Sequence, residues 1–587
     1  MRRDSFVHQV VRSVLVSLVT LVIVLALVGG GLWLAFRDDA TIEPGSWLVL
    51  ELNGDLPSHA PPGSFPASLL GDDTMSLQDA LDALGKATLD ERVDGVIWKI
   101  SAGHGAGWGK LQELRQATRA LRDAGKPAYA WVDNMNLRTL YLAAACDTIA
   151  MPRGGYFGLQ GMLRQSLHVR GTLEKLGVTP HVSKLREYKS AAELITETAM
   201  TGPAREQAQR LLDHTWEAIT HAVAEERGLP RERLLEVMER GGVEPIAAAE
   251  IGIIDEVLYW QGLEQRLLAA GDEDERQTLA TVTAATYRDV AWSDLGRDGE
   301  ATIAVVHAQG MIMGRENGVN PLLGITMGHE SVVRELQRAR RDDDVKAIVF
   351  RVDSPGGDGL TSDLIGHEVA LCAAAKPTVV SMVSVAASGG YQIAFRADRL
   401  LANPLCTVGS IGSISAFFDM SGFHDRIGLS TDAVAAGPMA GLGRDDRAPT
   451  TAEWEAFASR HEEGFDAWLR EVAAKRGFTL DEVKARAYGR VFTGEEAVAN
   501  GLIDGLGNLD QAIAEAATLA DLDPERVTVV HLPEPAGPLD LIMGGDSGPD
   551  DPVTLALRWL TYRQLRAELE TTERLLASPP VLAPVPR

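Results

Sequence analysis

The stretch KPTVVSMVSVAASGGY, from Lys376 to Tyr391, decides how this chain is read. Its first half, Thr378 to Val383, is an apolar, β-branched run of strand length. It then turns small, through Ala386, Ala387, Ser388, Gly389 and Gly390, and from Tyr391 to Arg396 the pattern reads as the start of a helix. A strand-to-helix turn walled by residues without bulk leaves a hydroxyl open to whatever docks there, and the helix N-terminus adds positive potential. Such a serine is either a nucleophile on an accessible turn or a cap for the helix N–H groups. The stretch alone leaves both open.

Working outward, strands and helices alternate throughout. Ala347 to Val352 is a buried-type strand, followed at once by the turn Ser354-Pro355-Gly356-Gly357. Earlier in the chain, Ser46 to Leu52, Val93 to Ile100, Ala128 to Val132, Thr148 to Met151 and Thr179 to Leu185 read as strands. Leu77, Leu81 and Leu84 have helical spacing, as do the apolar positions from Leu111 to Ala124, which end in the stop Gly125-Lys126-Pro127. Thr201 to Glu226 is a long helix with a Thr-Gly-Pro start. This alternation over short turns implies parallel sheets with crossover helices, an α/β fold.

The order is then repeated. VDGVIWKISAGHGAG at Val93 matches VKAIVFRVDSPGGDG at Val345, GKPAYAWV at Gly125 matches AKPTVVSM at Ala375, and AAEIGIIDEV at Ala248 matches AVANGLIDGLG at Ala497. The offset stays at about 250 residues, so one α/β unit has been duplicated. Residues 40–270 form the first repeat in this reading, 271–299 a polar linker, 300–532 the second repeat and 533–587 a C-terminal extension. The copies differ where chemistry would sit. Arg138 falls opposite Ser388, and Ala440 falls opposite Lys189. One half keeps the serine and the other keeps the lysine.

A net charge of −26 argues against a nucleic-acid binder. The three cysteines, Cys146, Cys372 and Cys406, form no CxxC pattern and have no histidine-rich cluster beside them, so neither a disulfide framework nor a metal or cofactor is expected. From Ser13 to Phe36 the chain is uncharged and mostly valine and leucine. That is enough to span a bilayer, which takes about 20 residues as a helix. Arg2, Arg3 and Arg12 precede the run, whereas Arg37, Asp38 and Asp39 follow it. Residues 1–12 are therefore expected in the cytoplasm, 13–36 in the membrane lipid, and the body on the far side. A signal peptide would have an apolar region of about 7–15 residues and a small-x-small cleavage site. This run is longer and ends in Trp33-Leu34-Ala35-Phe36, which fits an anchor.

REYKSAAE around Lys189, FRVDSPGGD at Phe350, VAASGGY around Ser388, GSIG at Gly409 and GRVFTGEEAVANGLID from Gly489 stand in one order along the chain. On these motifs the chain, from Trp47 to Leu519, resembles the signal peptide peptidase A family in its long, duplicated form. These are bacterial membrane-anchored serine proteases of the wider ClpP/crotonase-like superfamily. The resemblance implies two tandem ClpP/crotonase-like α/β repeats behind an N-terminal transmembrane helix. It implies Ser388 as nucleophile, Lys189 as general base and Ser410 as the residue that orients the lysine amine. It further implies a homo-tetramer on the bacterial inner membrane, with an extracytoplasmic body that digests cleaved signal peptides and other unfolded polypeptides. One departure stands beside the expected substrate groove: SPGG is followed by Asp358-Gly359-Leu360 rather than by a serine and a hydrophobic residue.

The chemistry sets its own demands. A free lysine is protonated near neutral pH and serves as a base only once burial lowers its pKa. Lys189 must then lie away from water and from Glu187 and Glu193. An oxyanion is met best by backbone N–H groups, for which Gly357 and Gly389 are the expected donors, with Gly356 turned elsewhere. His307, His329, His367 and His424 have neither a GxSxG setting nor metal spacing, so a Ser-His-Asp arrangement is not expected. Acyl-CoA chemistry on the same scaffold, and an inactive peptide-binding scaffold, are the competing classes.

Overall fold

The computed structural model describes residues 42–59, 75–270, 277–320 and 322–534. The transmembrane helix expected over 13–36, and nearly all of the extension from 533, lie outside them. Among the described residues no helix is long and apolar enough to cross a membrane.

Two sheets share one strand order. In the first, Glu256–Val257, Thr148–Met151, Ala128–Val132, Val93–Ile100, Ser46–Leu52 and Thr281–Val282 lie side by side, all parallel. In the second, Gly505–Leu506, Arg399–Ala402, Thr378–Ala387, Val345–Ser354, Ala301–Gln309 and Val527–Leu532 follow in the corresponding order, again parallel. Alternate side chains of one strand enter opposite cores, as parallel sheets covered on both faces require. Leu48 and Leu50 face one core while Trp47 and Val49 face the other. Ala304 and Val306 are likewise separated from Ile303 and Val305. The three cysteines are buried free thiols.

Three elements differ from the sequence reading. The serine strand runs on from Val383 to Ala387, because its small residues pair with Thr407–Gly409 at that end. The stretch read as a linker, 271–299, belongs in part to the first unit. Thr281–Val282 pairs with Trp47 and Leu48 at the edge of the first sheet, and Tyr287 is buried in the first core. A two-residue strand has no period to read. Thr179–Leu185 forms as expected but leaves the first sheet, pairing antiparallel with Ser413–Asp419 of the second half.

That ladder is one seam between the halves, and the helix Gly202–Glu226 adds contacts to Val491 and Glu496. In another seam, the helix Trp108–Asp123 of the first half packs against the serine strand. Glu113, almost fully buried, ion-pairs with the equally buried Arg351 and accepts from Asn403 Nδ2 at 2.6 Å. Arg351 also donates to Ser381 Oγ at 2.7 Å. Lys110 Nζ lies 3.1 Å from Asp353 Oδ2 in the same seam. Removing one member of a buried pair strands the other, which typically costs about 3–5 kcal/mol. Glu113→Ala is therefore expected to lower the unfolding free energy by about that amount in urea titration, whereas Glu51→Ala, at a largely exposed pair, should change it by under about 1 kcal/mol.

Candidate active site

The serine strand ends at Ala387, and the helix Gly389–Ala394 starts two residues later. Ser388 occupies the turn at φ +57° and ψ −119°, a backbone region that a residue with a Cβ enters only under strain. Its N–H donates to Gly409 O at 2.8 Å, and its carbonyl accepts from Tyr391 and Gln392. It holds the N-cap position, yet its side chain caps nothing. The first half shows the contrast. There the matching helix, Leu137–Ala143, starts from Asn136, whose side chain accepts from Thr139 N at 3.0 Å. By helix start it is thus Asn136, and not Arg138, that stands opposite Ser388. The capping alternative is realised in the first copy and abandoned in the second.

The hydroxyl is turned instead toward Lys189. Lys189 Nζ donates to Ser388 Oγ at 2.8 Å, to Ser410 Oγ at 3.0 Å and to Ser410 O at 2.9 Å. The inter-half ladder brings these groups together. Lys189 lies just beyond Thr179–Leu185, Ser410 lies just before Ser413–Asp419, and Leu185 is paired with Ser413. Gly412 and Gly489 close on the lysine stem. A Cβ on the first would sit 3.1 Å from Lys189 Cδ, and one on the second 2.7 Å from its backbone N. The counterpart of Lys189, Ala440, is exposed.

Lys189 is only 5% exposed, and among the described residues no carboxylate lies within 4.0 Å of its amine. Glu193 is engaged elsewhere, with Lys184 at 3.4 Å and Thr201 Oγ1 at 2.7 Å. Burial alone therefore acts on the amine and pulls its pKa from 10.5 to about 8.

Opposite the serine, Ser354-Pro355-Gly356-Gly357 turns tightly at φ +100° and +157° for its two glycines. The N–H of Gly356 donates to Ser354 Oγ at 3.1 Å. The N–H groups of Gly357 and Gly389 have no partner among the described residues. The two glycines lie side by side, since a Cβ on Gly389 would lie 3.1 Å from Gly357 N. Neither position has room for a side chain, because a Cβ on Gly357 would lie 2.0 Å from Ile312 O and one on Gly389 2.4 Å from Ser362 Oγ. Asp358, the departure noted after SPGG, caps the helix Gly359–Ala375 by accepting from Thr361 N at 2.8 Å, and Leu360 is left exposed.

These groups open on a groove of about 720 Å³, with Met311, Ile414, Phe465 and Trp468 among its apolar walls. His461 also lines it and has no counterpart among the sequence-derived candidates. Its spacing from Trp454 and Phe457 along one helix face is the signal that could have placed it near the site.

A model described as peptidase family S49 matches residues 120–271 and 370–523. The chain is 30% identical over 507 residues to the chloroplastic serine protease SPPA of Arabidopsis thaliana, across 86% of this chain and 74% of that one. It is 31% identical over 551 residues to Protease 4 of Salmonella typhi, across 90% and 87%. Among solved structures, a ClpP1 mutant from Listeria monocytogenes overlaps 35% of this chain and 93% of its own, at 14% identity and a TM-score of 0.23. The chain belongs to peptidase family S49 and is a serine protease.

A lysine with a lowered pKa weakens the fold while the unfolded lysine stays charged. Here the cost is full below pH 8 and fades as pH climbs from 8 to 10.5. At about 1.4 kcal/mol per pKa unit, it comes to roughly 3 kcal/mol. Lys189→Met should accordingly raise the unfolding free energy at pH 7 by about 1–3 kcal/mol, with the gain shrinking between pH 8 and 10.5 in urea titrations.

Proposed function

We propose that this serine protease is a membrane-anchored endopeptidase with a Ser388/Lys189 dyad, acting on cleaved signal peptides and other unfolded polypeptides. The observation that carries the reading is a buried amine with no carboxylate partner among the described residues, 2.8 Å from a serine hydroxyl that caps nothing.

The steps follow from the geometry. Neutral Lys189 takes the proton of Ser388 as Oγ attacks the peptide carbonyl. The carbonyl oxygen gains negative charge and is held by the N–H groups of Gly357 and Gly389. The protonated amine then gives its proton to the leaving nitrogen, and water enters to release the acyl group from Ser388 by the reverse sequence. Ser410 is the orienting residue. Its carbonyl and hydroxyl hold the amine in place, and as neutral groups they stabilise its charge less than a carboxylate would. The apolar walls of the groove suit the apolar side chains of a signal-peptide core.

Two features of the chain support the setting. The uncharged run 13–36 between Arg12 and Arg37 fits an anchor that leaves the body extracytoplasmic. Leu163, Leu167, Leu429 and Val434, exposed on the segments flanking the inter-half ladder, support self-association, for which we propose the homo-tetramer.

Wild type should react with a fluorophosphonate probe, Ser388→Ala should not react, and Lys189→Ala should react about 100- to 10,000-fold more slowly. Labelling that persists in Ser388→Ala would sink the reading; a wild type that never labels would favour an inactive scaffold. The labelling rate should rise tenfold per pH unit up to about pH 8 and then level, as the free base forms. Full-length protein should stay with the membrane pellet in alkaline carbonate.

A further inference from the structure

Among the side chains of the groove that the dyad mechanism leaves unused is His461. It lies on the helix Thr451–Arg476, whose Trp454, Phe457 and His461 form one face. That face lies over the inter-half ladder. Phe457 stands 4.3 Å from Phe417 of one strand, and Trp454 stands 6.2 Å from His181 of the other, between ring centroids. His461 continues the row and touches both strands through hydrogen bonds. Its Nδ1 is 2.8 Å from Ser183 Oγ, and its Nε2 is 2.8 Å from Ser413 Oγ.

Both ring nitrogens are therefore occupied by hydroxyls, so the imidazole is no base for Ser388. The two serines come from different halves. Ser183 is paired with Ser415, and Ser413 with Leu185, so the imidazole spans a diagonal of the ladder on one face. A diagonal bridge of fixed length fits one register only. The register matters because Lys189 follows one strand and Ser410 precedes the other. A slip of two residues, the smallest that keeps the same faces, would move one partner by about 6–7 Å. That exceeds the whole length of the Lys189–Ser388 hydrogen bond. A two-stranded ribbon is also marginal by itself and needs a covering element.

We propose that His461 is a positioning residue of the protease: it clamps the inter-half ladder in the register that delivers Lys189 to Ser388 and Ser410. The proposal rests on the Ser388/Lys189 reading. Of the other charged or titratable groups on the packed elements, His181 stands beside Trp454 with its Nε2 buried and without a hydrogen-bond partner among the described residues. Arg186 and Lys484 share Asp466, Lys184 meets Glu193, and Arg460 is exposed. Burial also holds His461 below its ordinary pKa, so the ring stays neutral across the range in which the lysine titrates.

The test uses the full chain and two readouts. Amide hydrogen exchange over 179–185 and 413–419 reports the ladder whatever the chemistry, and fluorophosphonate labelling against pH reports the dyad. In His461→Leu, exchange in both strands should quicken at least about tenfold. Labelling at pH 7 should slow at least about tenfold, with its midpoint moving upward from about 8 as the amine gains water. The double variant Ser183→Ala/Ser413→Ala should reproduce both changes, and adding His461→Leu to it should add less than about twofold. A helix that merely packs would lose folded fraction in these variants while the surviving molecules kept the wild-type midpoint. Unchanged exchange, or faster exchange with an unmoved rate and midpoint, overturns the proposal alone. A wild type that is not labelled overturns the dyad reading and this role with it. Should His461→Leu fail to fold, the double serine variant decides by the same criteria.

Discussion

The proposed chemistry depends on taking one amine out of water with no counter-charge beside it among the described residues. In the proposed dyad, burial is what would let Lys189 act as a base rather than an acid. An acid beside it would undo the conversion, because a charged partner stabilises the ammonium it would have to abandon. The site meets this condition with neutral acceptors. Two serine hydroxyls and one carbonyl take the hydrogen bonds of the amine, and glycines rather than polar side chains close on its stem. The nearest acid in sequence that is also buried, Glu193, is satisfied by Lys184 and by Thr201.

Duplication explains how one chain meets that condition. A single α/β unit offers a strand-to-helix turn for a nucleophile, and a strand that leaves the sheet for a base. Here each unit has specialised. The first keeps its helix cap at Asn136 and spends its outgoing strand on the lysine, whereas the second gives up the cap for a strained serine. The exchange works only if the halves meet in one register. Among the contacts that hold them are a two-stranded ladder beside Lys189 and Ser388 and a buried polar contact centred on Glu113 and Arg351 behind the serine strand. Such a polar contact is satisfied in few arrangements, whereas apolar surfaces tolerate sliding.

Much of this was legible in the sequence where the signal was local. Val93–Ile100, Ala128–Val132, Thr148–Met151 and Thr179–Leu185 were readable as strands, since β-branched and apolar runs of that length declare themselves. The repeat exposed Ser388 and Lys189 as residues lost in one copy each, and the structure places them in contact. What stayed hidden was long-range. The pairing of Thr179–Leu185 with Ser413–Asp419 joins segments more than 200 residues apart, and nothing in either names its partner. Thr281–Val282 was too short to show a period and passed as linker. His461 shares a helix face with Trp454 and Phe457, but on a helix rich in charged residues that spacing names neither a groove nor a partner. Its partners, Ser183 and Ser413, are ordinary hydroxyls until the ladder sets them on one diagonal.

The depth of burial around Lys189 is itself a compromise. A lysine with a pKa of about 8 is neutral in roughly a tenth of molecules at pH 7. Drier surroundings would raise that fraction, but each further unit would cost the fold about 1.4 kcal/mol and make the amine a weaker base. Wetter surroundings would give a stronger base that is almost never free. General-base catalysis is most effective when the catalytic pKa lies near the working pH, so on the proposed reading burial moves the amine toward that optimum. The strain at Ser388 adds its own cost on the same side of the balance, of order 1–3 kcal/mol. Both are borne by the cores of the two halves, so stability gathered away from the groove is what lets the groove hold a destabilised amine against a strained hydroxyl.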